Sequence, residues 1–241
     1  MLLAVVLAVL SGGATPVSWM WARYAPALLG YTQATPVHVW IAAIALYVGH
    51  GVLVQALPLP RWQPAAATLP TRRVVPRVAL NLASCAALCL LPRPSTRVVT
   101  EREAAWYLGV AAAGNEAVYA CVHRLLHTRR MYRFHRLHHQ QRAPRALGAV
   151  YCSLVEMWVA NLASFFLPLS LTNAPLQVYL LWVLSGIQTT QIHHSGKRWP
   201  WPWSLLHQPE FHDTHHRCPC RNFGNVGVLE FALRKRSVPS L

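Results

Sequence analysis

GAVYCSLVEMWVANLASFFLPLSLTNAPLQVYLLWVLSGIQTTQI, residues 148–192, decides how this chain is organised. Gly148 to Leu171 and Leu176 to Ile192 are two apolar runs joined at the uncharged tip Thr172-Asn173-Ala174-Pro175. Their lengths suit bilayer-crossing helices, and the tip carries turn residues, so the pair reads as a helical hairpin. Both outer flanks are basic: residues 128–147 carry Arg129, Arg130, Arg133, Arg136, Arg142 and Arg145, and the tail 193–241 is basic as well. The positive-inside rule then places 123–147 and 193–241 together on the cytosolic face, with the tip across the membrane.

Those two basic stretches hold nearly all the histidine. His123 and His127 form HxxxH; His135, His138 and His139 form HxxHH; His194 stands in a third place; His212, His215 and His216 repeat HxxHH. On a helix, positions i, i+3 and i+4 share a face, so each cluster aims its imidazoles at a common point. Neutral imidazole suits Zn, Cu, Fe and Ni alike. Number is more telling, since a structural zinc needs four ligands and a catalytic one three, whereas nine histidines suffice for two metals with positions left open. Only Asp213, Glu210, Glu156 and Glu116 are carboxylates near enough in sequence to serve, which argues against a carboxylate-bridged bundle. A histidine-rich dinuclear site in a membrane suggests oxygen activation on a lipid. His38, His50, His193 and His207 stand outside the clusters and read as ordinary hydrogen-bonding residues, with His193 a substitute for His194 only if its helix is rotated.

Composition agrees with the membrane reading. The chain has 241 residues, 54% of them hydrophobic and 12% charged, against about 25% charged in an average soluble domain. Its net charge of +15 comes almost entirely from arginine abutting apolar runs. That pattern reports the cytosolic side of a bilayer rather than nucleic-acid binding.

Further spans are expected at Val37 to Leu57 and Ala104 to Val122, the second broken by Asn115 and Glu116. Pro58 to Arg77 reads as a loop, and Val78 to Leu91 as a short apolar run closed by Pro92 and Pro94. If that run spans, Arg93, Arg97 and Arg102 fall on the far side; a re-entrant hairpin would avoid this. Met1 to Leu10 reads either as a signal-like segment or as half of a helix resuming after Gly12 and Gly13. The expected fold is mainly α: an integral membrane protein with about four transmembrane helices and a cytosolic helical cap holding a His-rich dinuclear metal site. The chain divides into an N-terminal membrane region, 1–103, and a domain bearing the His motifs, 104–241.

Cys85, Cys89, Cys121 and Cys152 lie in apolar runs as small hydrophobes. Cys218 and Cys220 follow His216 without the second pair a zinc ribbon needs, and a cytosolic setting disfavours a disulfide. Glu116 and Glu156, costly inside apolar spans, are expected to bond to His or Arg. Trp199, Trp201 and Trp203, set among prolines, read as an interfacial belt or as part of a lipid entry.

The run His123-Arg124-Leu125-Leu126-His127, Phe134-His135-Arg136-Leu137-His138-His139-Gln140, His194-Ser195-Gly196 and His212-Asp213-Thr214-His215-His216 resembles the fatty acid hydroxylase and sterol desaturase superfamily. Its nearest branch is the cholesterol 25-hydroxylase and methylsterol oxidase group, and the likeness covers about residues 104 to 227. The resemblance implies a membrane-bound non-haem di-iron oxygenase of the endoplasmic reticulum that uses dioxygen to introduce a hydroxyl or a double bond into a sterol or fatty acyl lipid. It implies two iron ions as cofactors, with His123, His127, His135, His138, His139, His194, His212, His215 and His216 as their ligands, and zinc as a possible substitute. It implies electrons from a b-type cytochrome and its reductase, which an acidic donor would deliver to the basic surface. Asn222 lies where relatives often have Asn and would orient a ligand. The closing segment, Val228 to Arg236, departs from the family pattern. A zinc-dependent membrane hydrolase, which would want an HExxH that this chain lacks, and a catalytically inactive protein retaining the histidines are the alternatives. The pattern leaves sterol and acyl substrates, hydroxylation and desaturation, and oligomeric state open.

Overall fold

The computed structural model describes residues 35–64, 68–201 and 208–234. They are mainly helical, and among the described residues the only β pairing is an isolated bridge between Arg61 and Lys197. His207, Trp203 and the segment 1–34 lie outside the described residues.

Helix α1, Pro36–Ala56, begins where Thr35 accepts a hydrogen bond from the His38 amide and Pro36 occupies the first turn. It packs against the helix Leu176–His193 and the 3-10 turn Ala146–Gly148. Gly51 is where these elements meet: a Cβ there would stand 2.6 Å from both Gln191 Nε2 and Leu147 Cδ2. Gln191 fixes this contact by donating to the Tyr47 carbonyl at 2.7 Å and meeting His50 Nδ1 at 2.7 Å.

Helix α2, Thr71–Ser84, continues as a 3-10 segment, Cys85–Leu90. This corrects the reading of 58–77 as loop. Arg72 and Arg73 are exposed while Val74, Val78 and Asn81 are buried at helical spacing, so the arginines form the wet face of an amphipathic helix.

Helix α3, Glu101–Leu126, opens on a Thr100/Glu103 capping box and is longer than expected at both ends, carrying His123 in its last turn. Helix α4, Tyr132–His135, and a 3-10 turn, His138–Gln140, follow. Helix α5 runs Leu154–Leu171. It starts six residues later than the apolar run because Ser153 caps it by accepting from the Glu156 amide, and a π turn interrupts it over Met157–Leu162. Helix α6, Leu176–His193, returns after a tip in which Asn173 has a positive φ of 52°. Helices α7, Glu210–Arg217, and α8, Val228–Arg234, complete the described chain.

The core lies where α3, α5 and α6 meet: Ala104, Ala105, Leu108 and Ala111 of α3 pack with Leu169, Val178 and Trp182. Small residues on α3 allow close approach, as is usual between membrane helices. Large apolar side chains such as Ile41, Val52, Leu80, Val159 and Leu167 remain exposed, which suits a lipid-facing surface.

Among the described residues, three helical stretches are long and apolar enough to cross a membrane: Pro36–Ala56, Thr71–Leu90 and Leu154–Leu171. About four were expected, with a different membership. The α2 stretch qualifies although its run looked short, because its helix begins earlier. Helices α3 and α6 do not qualify on composition: one carries Asn115, Glu116 and an acidic first turn, the other Gln177, Gln188 and Gln191. All six cysteines are free.

Candidate metal centre

Four pieces of chain converge at one end of the helices. The last turn of α3 brings His123 and, at its C-cap, His127; α4 brings His135; the 3-10 turn after it brings His138 and His139; the C-cap of α6 brings His194; α7 brings His212, His215 and His216. The nine imidazoles sort into two groups. His123, His127, His135, His139 and His215 form one, His138, His194, His212 and His216 the other, and within each group the candidate ligand atoms lie within 4.8 Å of one another. Both HxxHH motifs are therefore split: His138 leaves the group of His135 and His139, and His215 leaves the group of His212 and His216.

The facing atoms are Nε2 throughout. In the five-histidine group His123 to His135 is 3.0 Å, His135 to His139 is 2.9 Å, His139 to His127 is 3.2 Å and His139 to His215 is 3.2 Å. In the four-histidine group His194 to His212 is 2.9 Å, His212 to His216 is 3.1 Å and His138 to His194 is 3.4 Å. With metal–nitrogen bonds of about 2.0–2.1 Å, adjacent ligand nitrogens stand about 2.9 Å apart in an octahedron and about 3.4 Å apart in a tetrahedron. The observed spacings are those of coordination edges, so these residues fit a metal in each group.

The outer nitrogens support the same polarity. Nδ1 of His123 meets the Phe223 carbonyl at 2.8 Å, that of His194 the Thr190 carbonyl at 2.8 Å, and that of His215 the Arg221 carbonyl at 2.7 Å. A carbonyl can only accept, so Nδ1 carries the proton and the Nε2 lone pair points inward. Eight of the nine rings are buried and His127 is half-buried. Burial, reinforced by neighbouring imidazoles, holds His127 down to about 4 and His139 to about 3; burial likewise holds His194 and His215 to about 4. The cluster is thus neutral at neutral pH, the state that binds metal.

No carboxylate enters either group. Glu156 stands behind them, its Oε1 2.9 Å from His135 Nδ1 and 4.0 Å from His138 Nδ1, as the expectation of a His partner required. Glu116 departs from that expectation: its Oε2 accepts from the Val226 amide at 2.8 Å and so braces the turn before α8 instead. Asp213 is tied to Gln63 Nε2 at 3.0 Å and to Arg217 Nε at 3.4 Å. Asn222 donates to the Phe211 carbonyl at 2.8 Å, while the neighbouring Arg221 carbonyl takes the His215 proton. His193 is buried beside His194 and belongs to neither group, and His50 is bonded to Gln191.

Sequence reading missed the strap that holds His194. Arg61 donates to the carbonyls of Pro144 and Ser195, and the buried Lys197 ammonium donates to the carbonyls of Gln55 and Leu57. These partners lie 83 to 142 residues apart, so no local pattern reveals them.

A cavity of about 1020 Å³ opens from the four-histidine group. Its walls come from α1, α2, α3, α5 and α6 and are largely apolar, including Trp40, Leu82, Phe165, Leu180, Trp182 and Val183. His138, His194 and His212 line it, and none of the five-histidine group does. It follows α6 from Leu176 to His193, about 26 Å at the helical rise.

The family model described as fatty acid hydroxylase matches residues 108–231. The chain is 33% identical over 110 residues to fatty acid hydroxylase ahd1 of Mycosarcoma maydis, covering 45% of this chain and 28% of that protein. It is 31% identical over 144 residues to methylsterol monooxygenase erg25A of Aspergillus fumigatus, covering 55% and 45%. It is 33% identical over 108 residues to very-long-chain aldehyde decarbonylase GL1-11 of Oryza sativa subsp. indica, covering 43% and 40%. The chain thus spans less than half the length of each of these relatives. No solved structure matches it.

Proposed function

This chain belongs to the fatty acid hydroxylase family, and on that premise we propose that it is a membrane-bound, non-haem di-iron oxygenase that hydroxylates or desaturates a sterol or fatty acyl lipid. The observation that carries this reading is the pairing of two all-imidazole groups at the end of a long apolar cavity. Two iron ions, when bound, would supply the activation of dioxygen that attack on an unactivated C–H requires.

The chain's own residues do the rest. The five-histidine group would hold one ion with little room for anything else, and the four-histidine group would hold the other while leaving positions open toward the cavity. His138, His194 and His212 present that open side to the substrate. Walls of Trp, Phe, Leu and Val keep water from the reacting carbon and seat the lipid by apolar contact. The outward carbonyls and Glu156 hold the rings in their ligating tautomer.

Exposed Arg124, Arg129, Arg130, Arg133, Arg136 and Arg142 surround the histidine end. This basic face suits a separate acidic electron donor, a b-type cytochrome with its reductase, by charge complementarity. It also suits a cytosolic orientation in the endoplasmic reticulum, with α1, α2, α3 and the α5–α6 hairpin crossing the membrane and the histidine-bearing segments forming the cap.

The test is oxygen uptake by purified protein loaded with iron or with zinc, with and without reduced cytochrome, and with lipid products read by mass spectrometry. Uptake confined to the iron form with donor and lipid is expected. Activity of the zinc form without oxygen or reductant would replace this reading with a hydrolase.

A further inference from the structure

Polar side chains interrupt the apolar wall of the cavity within the depth of the helices, among them Asn115 of α3, Asn161 and Ser164 of α5 and Ser185 of α6, with Asn225 reaching in from before α8. Uncharged amides at this depth are expensive unless they have partners. Most of them do. Asn225 Nδ2 donates to Asn115 Oδ1 at 2.8 Å, Asn115 Nδ2 reaches Ser164 Oγ at 3.4 Å, and Ser185 bonds back to the Leu181 carbonyl at 2.7 Å.

Asn161 is the exception. Its Nδ2 meets only sulfur, Cys152 Sγ at 3.6 Å and Met157 Sδ at 3.9 Å, and among the described residues its Oδ1 has no partner. Sulfur is a weak acceptor, so the amide keeps nearly all of its hydrogen-bonding capacity. It also sits in the π turn Met157–Leu162, a local irregularity that redirects side chains and is frequent at functional sites.

We propose that Asn161, backed by Ser164 and Asn115, is a polar shelf that hydrogen-bonds a hydroxyl or carbonyl oxygen of the lipid substrate. This rests on reading the cavity as the lipid site of an oxygenase. The shelf fixes where oxidation falls. Asn161 lies five residues beyond Glu156 and Asn115 eight residues before His123, so the shelf stands about 7–12 Å along the helices from the histidine level. The oxidised carbon is therefore remote from the anchored oxygen rather than adjacent to it. An amide can donate to and accept from a hydroxyl, so an alcohol is the better partner than a hydrocarbon of the same shape, which leaves the amide unpaired.

The experiment is equilibrium binding to the full chain in nanodiscs, without reductant, so that no turnover occurs. The probes are octadecanol against octadecane and cholesterol against cholestane, for wild type, Asn161→Leu and Asn161→Ala. Comparing alcohol-to-hydrocarbon ratios between proteins cancels each lipid's own partitioning into the bilayer. Wild type should exceed both variants in at least one ratio by about tenfold. Hydrocarbon affinity retained in either variant shows that its cavity is intact. Equal ratios in wild type and an intact variant would overturn the shelf. Because nothing is turned over, a failure of the oxygenase reading would appear only in oxygen uptake and would leave this comparison standing.

Discussion

Glu156 Oε1 lies 2.9 Å from His135 Nδ1, so a buried carboxylate holds a ring of the five-histidine group from behind. The same oxygen is 4.0 Å from His138 of the other group, which makes Glu156 a common backing for both. A carboxylate behind a ligating imidazole fixes its tautomer and raises its basicity. Glu156→Ala should therefore lower iron affinity by about 10- to 100-fold, and Glu156→Gln, which keeps an acceptor oxygen, by less. Glu156 is buried, so its removal also leaves a cavity and His135 Nδ1 without its partner, and the thermal stability of the metal-free variants is measured alongside to separate a loss of iron affinity from a loss of fold. Iron content after dialysis against a graded chelator reads the effect. Unchanged retention in Glu156→Ala would show that the carboxylate is not a support for the ligands.

One histidine from each group provides a sharper contrast with a histidine outside both. His138→Ala and His215→Ala should each abolish turnover while the protein stays in the membrane, because an open paired site cannot lose a ligand and keep both ions in register. His50→Ala should retain both ions, since His50 bonds to Gln191 and lies in neither group. Metal analysis of membrane-extracted protein beside lipid product formation checks this. Activity at wild-type level in His138→Ala or His215→Ala would remove them from the ligand set.

Acid should act on the metal-free protein through these rings. His127, His194 and His215 are held to about 4 and His139 to about 3 in the folded chain, against an ordinary value of 6.5. Between those values the unfolded chain takes up protons that the folded chain refuses, so stability begins to fall as pH drops through 6.5 and goes on falling toward the folded values of about 4 and about 3. Above about pH 7 both states are neutral and stability is flat. The melting temperature of chelator-treated protein should thus fall steeply from pH 7 to pH 5.5, and less steeply when metal occupies the site. A melting temperature that stays constant over this range would contradict neutral, desolvated imidazoles.

The legible part of this protein was local. HxxxH and HxxHH place rings on one helical face, and those spacings pointed to eight of the nine residues that the fold gathers, while His194 stands alone in the sequence and was reached through the family resemblance. Their sorting into five and four was not legible, because it depends on how α3, α6 and α7 are turned toward one another. The partner of Glu156 could be anticipated from the cost of burying a carboxylate, yet the same argument failed for Glu116, whose partner is the backbone amide of Val226. Helix α2 was misread because Arg72, Arg73 and Pro76 resemble a loop until Val74, Val78 and Asn81 are seen to share a buried face. Gln63, Lys197 and Asn161 act through distant contacts or through a π turn, neither of which leaves a periodic signature.

Orientation in the membrane supplies the last prediction. The shared site requires the histidine segments to lie on one face, which the proposed orientation puts in the cytosol. The loop 140–146 is a poor place for a reporter, since Gln141, Ala143, Pro144 and Ala146 are buried. Arg130 and Cys218 are exposed instead, and Thr172 marks the opposite tip. With the other exposed cysteines replaced by serine, a membrane-impermeant maleimide should label Arg130→Cys and Cys218 from the cytosolic side of intact microsomes, and Thr172→Cys only after the vesicles are opened. Labelling of Arg130→Cys and Cys218 from different sides would separate the histidine segments across the bilayer, and no common metal centre could then form.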